Sequence, residues 1–254
     1  RLGETSTLFR NEDSGEMHGL IRVRQFTISE GHLVLRPDQL EEEFLGCVNL
    51  MKYFLGTLGL LEDCTFRFSQ WDPNNRAKYE GTPEQWDEAQ ATMKKILDDI
   101  GLDYKIGIDE ATFYTDSDNT QKIPYIIHRT SLGCYERTLA LLIEKYAGAF
   151  PVWLSPTQAT VLPISPTFAD YAETVTEKLK AAGVRAELDA RNEKIGYRIR
   201  EAQLSKVPYM IVVGANEEEA GNISVRARGE GDLGTMEIGA FADRVAEEVR
   251  TYKL

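Results

Sequence analysis

The sequence has 254 residues, 42% hydrophobic and 28% charged, an ordinary globular composition with room for one large or two ordinary domains. Acidic residues outnumber basic ones 41 to 29, the reverse of a chain that coats itself in nucleic acid, so such a partner has to be met by a local patch. The longest apolar runs, Leu139–Ile143 and Met210–Val213, fall far short of the roughly 20 residues of a membrane span. Three cysteines without a CxxC pair exclude a disulfide scaffold and a four-cysteine zinc knuckle, and point to the cytosol.

Thr7–Glu12 and Leu20–Leu35 read as strands, and the turn-rich stretch Asp13–Gly19 between them predicts an antiparallel hairpin. Asp38 and Glu41 have capping-box spacing ahead of Leu40, Phe44, Val48, Met51, Leu55 and Leu58, which recur at helical intervals up to Gly59. A second amphipathic helix opens at Thr82 with Pro83 first and Gln85 third, carries Trp86, Ala89, Met93, Ile96 and Ile100 on one face, and stops at Gly101. Tyr125–Thr130 is a further strand, and Arg137 falls in the first turn of a helix that packs Leu139, Leu142, Ile143 and Tyr146 inward.

After Phe150 and Pro151 the rhythm changes to strand Thr160–Ile164, helix Pro166–Ala182, strand Arg185–Asp189, helix Asn192–Lys206, strands Tyr209–Gly214 and Asn222–Arg228, and helix Glu237–Tyr252. This alternation predicts a small α/β domain with a mixed sheet. The stretch Phe150–Pro156 marks the boundary, giving domains 1–150 and 151–254. The second holds 13 basic against 16 acidic residues, a net −3 against −9 for the first, and is the better nucleic-acid partner. Within it Arg191, Lys194, Arg198, Arg200 and Lys206 form a locally basic run. Gly229-Glu230-Gly231-Asp232-Leu233-Gly234 satisfies GxGxxG, but Glu230 and Asp232 would face a pyrophosphate and no early βαβ unit surrounds it. A turn between a strand and the last helix is the expectation.

Strand alternation puts Arg22, Arg24, Phe26, Ile28, Glu30 and His32 on one face of the hairpin, with Arg10 and Glu12 sharing a face on the first strand. Two readings remain open: a solvated outer face, or a site for a phosphorylated aromatic ligand, with guanidinium forks for phosphate and a ring for a base.

Phe9-Arg10-Asn11-Glu12 followed by His18-Gly19-Leu20-Ile21-Arg22-Val23-Arg24-Gln25-Phe26-Thr27 resembles the second signature motif of class II aminoacyl-tRNA synthetases, the threonyl family in particular. Pro124 to Arg137 resembles the third motif, and the likeness continues through Asp189–Gly196, Val207–Met210 and Gly229–Gly234. The resemblance implies an α/β (α+β) chain: a class II antiparallel sheet with helices, then a small anticodon-binding domain. It also implies ATP-dependent ligation of threonine to its tRNA through a threonyl-adenylate, in a homodimer.

By the same resemblance Arg10 holds the α-phosphate, Glu12 accepts from the adenine amino group, Phe26 stacks on the ring, and Arg22 with Arg137 clamps the outer phosphates, with Mg²⁺ beside them. His32 and His128 match two of three zinc ligands, the third being a cysteine upstream of the second motif; Cys134 is a weak substitute. Tyr114 and Glu30 match threonine-binding positions, and Asn192, Glu217 and Arg226 match positions that contact anticodon bases.

There are departures: the first motif and the N-terminal editing domains have no counterpart, the family's continuation after Tyr114 is replaced by Thr115-Asp116-Ser117-Asp118, and Ile28 and Glu30 stand where many relatives have glutamine and aspartate. Two alternatives follow: a non-catalytic synthetase-like module that binds nucleic acid or regulates, and the related prolyl enzyme, against which His32 and His128 count.

Overall fold

A computed structural model describes residues 1–75, 82–108 and 125–254. Tyr114 lies outside the described residues. The chain divides into two compact units, Arg1–Thr138 and Leu139–Leu254.

The first unit is built on an antiparallel sheet in the order β1 (Leu2–Phe9), β2 (Gln25–Leu35), β5 (Tyr125–Cys134). The hairpin forms, but in a different frame from the expected one. β1 ends at Phe9, so Arg10 and Glu12 lie beyond it, and β2 opens at Gln25, so Arg22 and Arg24 sit in the connection rather than on the strand. His18 and Arg22 instead close a tight turn through His18 N–H to Arg22 O and Arg22 N–H to His18 O (3.1 and 3.2 Å). The β2–β5 register runs from Leu35↔Tyr125 to Glu30↔Thr130, then jumps to Ser29↔Gly133, a bulge in β5 with Gly133 at φ 64°. Helix α3 (Tyr135–Tyr146) follows at once.

Helix α1 (Leu40–Thr57) buries Leu40 and Val48 as its periodicity requires, but Asp38 and Glu41 do not cap it. A 3-10 turn, Pro37–Gln39, precedes it; Gln39 accepts from Arg36 N–H (3.1 Å), and Asp38 is drawn away by the Arg36 guanidinium (3.0 and 2.9 Å). Helix α2 (Pro83–Asp99) does carry its capping box, with Thr82 and Gln85 exchanging bonds of 3.0 and 3.4 Å. β3 (Phe66–Gln70) and β4 (Tyr104–Ile108) form a short parallel pair that sequence reading did not place.

The second unit is a five-stranded mixed sheet in the order β10 (Gly231–Met236), β9 (Ile223–Ala227), β8 (Tyr209–Val213), β6 (Ala159–Pro163), β7 (Ala186–Leu188). β6 is parallel to β7 and β8; β9 is antiparallel to β8 and β10. Helices α4 (Ala169–Ala181) and α7 (Ile238–Arg250) close one face over Val161, Ile211, Val213 and Val225. Helix α5 (Ile195–Leu204) closes part of the other, through Ile195, Ile199 and Ala202 against Leu162 and Met210. A short helix, α6 (Ala215–Ala220), fills the β8–β9 connection.

The glycine run at 229–234 is not a simple turn into the last helix. It makes a β9–β10 hairpin with Gly229, Gly231 and Gly234 at φ 84°, 84° and 77°, and Asp232 accepts Gly234 N–H (2.8 Å). The stretch Phe150–Pro156 is tied to this unit by Arg228, which donates to Phe150 O (2.5 Å), and by Arg185, which donates to Trp153 O and Ser155 O (2.9 and 3.0 Å).

Candidate functional site

The connection after β1 and the bulge in β5 bring five of the predicted residues around one cavity. Arg10, Glu12, Arg22, Phe26 and Arg137 line a space of about 230 Å³, together with Ile21, Val23, Ile28, Thr130, Gly133 and Cys134. The gathering depends on the displaced strand ends. Arg10 N–H donates to Arg24 O (2.8 Å) and Arg24 Nε–H to Glu12 O (2.9 Å), which holds the two sides of the connection together past the last β1–β2 pair.

Phe26 is buried, and the Arg10 guanidinium lies over its ring, 5.3 Å from the centroid. Arg22 donates from Nε to Glu12 (2.9 Å) and from Nη2 to Glu16 (2.8 Å). That guanidinium holds the Glu12 carboxyl below the usual carboxylate range. Arg137, in the first turn of α3, donates Nε–H to Ile21 O (3.1 Å). The cavity thus has three guanidinium groups, one carboxylate and one ring: cationic forks beside a flat apolar surface.

Sequence reading missed the residue that fixes this corner. Both oxygens of Glu136 accept the Thr27 N–H (3.0 Å each), which ties the start of α3 to β2 one residue from Phe26. This bond keeps the Glu136 carboxyl below its ordinary range. The available signal was its place directly before Arg137. Cys134 donates its thiol to the same carboxylate (3.3 Å), and so it faces the cavity and not the histidines.

His32 and His128 are directly opposite across β2 and β5, their rings stacked with centroids 4.5 Å apart. His128 Nε2 lies 3.3 Å from Glu30. One ligand atom from each of Glu30, His32 and His128 can be chosen so that all lie within 4.8 Å of one another. Two imidazoles and a carboxylate are a donor set that zinc accepts in catalytic sites with an open position. A larger cavity of about 400 Å³, lined by Gly3, Thr5, Leu50, Phe54 and Arg129, reaches Glu30 but no other predicted residue.

In the second unit two of the three predicted residues, Arg226 and Glu217, lie on the α5 side of the sheet. Arg226 pairs with Met210 and Ser224 with Val212 across β9 and β8, so both lie on the face of Met210 that α5 covers in part. Glu217 is bonded to Ser224 Oγ (2.8 Å) and accepts Gly214 N–H (2.9 Å), so its carboxylate already closes the start of α6. Asn192 is exposed in the loop that leads into α5.

Two family models match the chain: the tRNA synthetase class II core domain (G, H, P, S and T) over residues 1–146, and the anticodon-binding domain over residues 158–248. A threonine–tRNA ligase of Clostridium botulinum (strain Eklund 17B / Type B) is 50% identical over 286 residues, covering 99% of this chain and 44% of the relative. The Chlorobaculum tepidum threonine–tRNA ligase is 40% identical over 283 residues, covering 98% of this chain and 43% of the relative. The chain therefore spans less than half the length of these curated relatives. At least 32 positions of the 286-residue match have no counterpart among the 254 residues here. Among solved structures, the RNA-binding domain of threonyl-tRNA synthetase from Cryptosporidium parvum Iowa II superimposes with a TM-score of 0.85 at 28% identity, covering 95% of this chain and 68% of that one.

Proposed function

Since the chain belongs to the class II tRNA synthetase family, we propose that it is the activating and tRNA-reading part of a threonine–tRNA ligase. The observation that carries this reading is the convergence of Arg10, Glu12, Arg22, Phe26 and Arg137 on one cavity. Such a cavity suits ATP: the ring of Phe26 for the base, Glu12 for its amino group, and three guanidinium groups for the phosphates, with Mg²⁺ beside them.

In the first half-reaction a threonine carboxylate oxygen attacks the α-phosphorus, the bond from that phosphorus to the bridging oxygen breaks, and pyrophosphate leaves with the electron pair. No proton needs to move on the protein. The arginines neutralise charge that builds on the phosphoryl oxygens, and no general base is required. Arg22 has to exchange Glu12 and Glu16 for phosphate oxygens as ATP enters. In the second half-reaction a terminal ribose hydroxyl of tRNA attacks the carbonyl carbon, the bond from that carbon to the phosphate oxygen breaks, and AMP leaves with the electron pair while its phosphate takes up the hydroxyl proton.

His32 and His128 would hold zinc, with Glu30 beside them and a cysteine from upstream as the third protein ligand in the intact, homodimeric, cytoplasmic enzyme. Bound there, zinc supplies positions for the amino nitrogen and hydroxyl of threonine, a distinction from valine that an apolar pocket holds to only about 10²-fold. Glu30 and Tyr114 are the proposed threonine contacts, and Asn192, Glu217 and Arg226 the anticodon contacts.

Phe26→Leu in the intact protein keeps an apolar side chain in the buried position and removes the ring. ATP affinity by calorimetry is expected to fall by roughly 1–3 kcal/mol, the scale of base–aromatic stacking; unchanged affinity takes the ring out of the site. Zinc content is expected to drop in His128→Ala, and equal content in wild type and variant sinks the metal assignment. A protein with no threonine-dependent ATP–pyrophosphate exchange that still binds tRNA is the non-catalytic module.

A further inference from the structure

The loop from Asp189 to Lys194 has no regular structure of its own, and one buried side chain fixes its path from beneath. Arg198, in α5, is 2% exposed. Its guanidinium donates to Asp189 O (2.6 Å), Glu193 O (3.2 Å) and Pro163 O (2.5 Å). All three acceptors are main-chain carbonyls. Two of them bracket Asn192 in the chain, and the third is the last residue of β6.

The rest of the loop follows the same plan. Asp189 N–H donates to Val161 O (2.9 Å), and the Asp189 carboxylate takes Arg191 N–H (3.2 Å) and both sides of the Arg191 guanidinium (2.9 and 2.7 Å). Burying a guanidinium costs desolvation that an apolar residue would avoid. Packing of α5 on the sheet is already supplied by Ile195, Ile199 and Ala202. What the fork of Arg198 adds is a single geometry for the backbone on either side of an exposed amide.

We propose that Arg198 is a positioning residue for anticodon recognition: by clamping the carbonyls of Asp189 and Glu193 to the end of β6, it presents Asn192 in a fixed place in the loop that leads into α5. This rests on the reading of the second unit given above. Arg198 is enclosed and touches no RNA itself, so its effect is on the geometry of the contact and not on its charge. A side chain that reads a base edge loses discrimination when its support is loose.

The test uses Arg198→Lys and Arg198→Met in the intact protein. Hydrogen exchange follows the amides of residues 189–194, and fluorescence anisotropy follows an RNA hairpin carrying a threonine anticodon loop through a salt series. Lysine keeps the charge but has no planar fork to span three carbonyls, so both variants are expected to behave alike. Amides of the loop are expected to exchange at least tenfold faster while β8 and β9 stay protected. The Kd for the hairpin is expected to rise about tenfold, the size of one lost base contact, with the salt slope of wild type.

Four results overturn the proposal: loop amides as slow as in wild type, protection lost throughout β8 and β9, hairpin affinity unchanged in both variants, or full affinity restored by lysine. A wild-type protein that does not bind the hairpin at all defeats the anticodon reading itself and the proposal with it, whereas equal binding by wild type and both variants defeats only the role of Arg198.

Discussion

The two units bury themselves in different ways. In the second, Val161, Val175, Leu179, Ile211, Val213, Ile223, Val225 and Phe241 are fully enclosed in one cluster between the sheet and helices α4 and α7. Among the described residues of the first, burial is split between Leu33, Leu35 and Leu40 on one side and Val48, Phe68 and Leu97 on another, and none is fully enclosed. The charged groups at its cavity take polar partners: Arg22 the carboxylates of Glu12 and Glu16, Arg137 the Ile21 carbonyl, and Glu136 the Thr27 N–H. On the function proposed above, the first sheet keeps an open polar face for a highly charged ligand, which leaves less apolar surface to close over, whereas the second unit offers only its outside to RNA and completes its core.

The sharpest way to break this contrast is to cut into the complete core. Phe241 is fully buried, with its ring edge-on to Tyr209 at 5.1 Å. Phe241→Ala is expected to cost about 3–5 kcal/mol, since a tightly packed site collapses poorly around the void. A denaturant melt should show the transition of the second unit shifted to lower denaturant, while ATP binding by the first unit before that transition is kept. A loss below about 1 kcal/mol would mean that the cluster is not a single packed core.

The same contrast explains what could be read in advance. In the second unit apolar periodicity and packing agree, so all seven of its expected strands and helices fall within a few residues of their expected limits; β6, for example, is Ala159–Pro163 against Thr160–Ile164. Two elements escaped. α6 is six residues of Ala, Asn and Glu with no apolar face, and β10 holds two glycines that disguise its ladder. In the first unit the site residues were legible from motif strings, but the alternation argument for them was not the operative one. Arg10, Glu12, Arg22 and Arg137 stand on a connection and a helix start, and side-chain parity along an extended strand did not bring them together. Arg198 was legible only as one charge in a basic run, because three carbonyl acceptors leave no mark on a sequence.

A smaller effect is expected from the corner that substitutes polar bonds for core. Glu136→Ala removes a carboxylate that accepts the Thr27 N–H with both oxygens and the Cys134 thiol. Hydrogen bonds to a charged group are worth roughly 1.5–3 kcal/mol, so the first unit should lose stability of that order. ATP affinity should fall too, because β2 beside Phe26 is no longer fastened to the start of α3. The pH dependence has a definite sign. The folded-state pKa of Glu136 is depressed by the Thr27 N–H, so its contribution is complete above the unfolded carboxylate range and disappears as pH falls through the lower folded value. Melts of wild type and Glu136→Ala should converge in acid. A constant gap down to the lowest pH that keeps the fold would show that the carboxylate charge is not what fastens the corner.

The smallest expected effect comes from Glu16, and its sign is the informative part. Its carboxylate holds Arg22 Nη2 at 2.8 Å, with both side chains about half exposed. Exposed pairs of this kind contribute little to stability, so Glu16→Gln should leave the melting curve nearly unchanged. For ATP the carboxylate is a competitor, since Arg22 has to leave it before a phosphate oxygen can take its place. Removing that charge also removes a repulsion toward the phosphates, and both changes act in the same direction. Calorimetry should find ATP bound up to a few-fold more tightly by Glu16→Gln in dilute buffer. The gain should shrink in high salt, because charges this exposed are screened over a Debye length of about 8–10 Å at moderate ionic strength and less above it. Weaker binding by the variant would mean that Glu16 holds Arg22 in the orientation that ATP requires. An unchanged affinity at every salt concentration would mean that Arg22 does not meet the phosphates, and that Arg10 and Arg137 alone form the cationic side of the cavity.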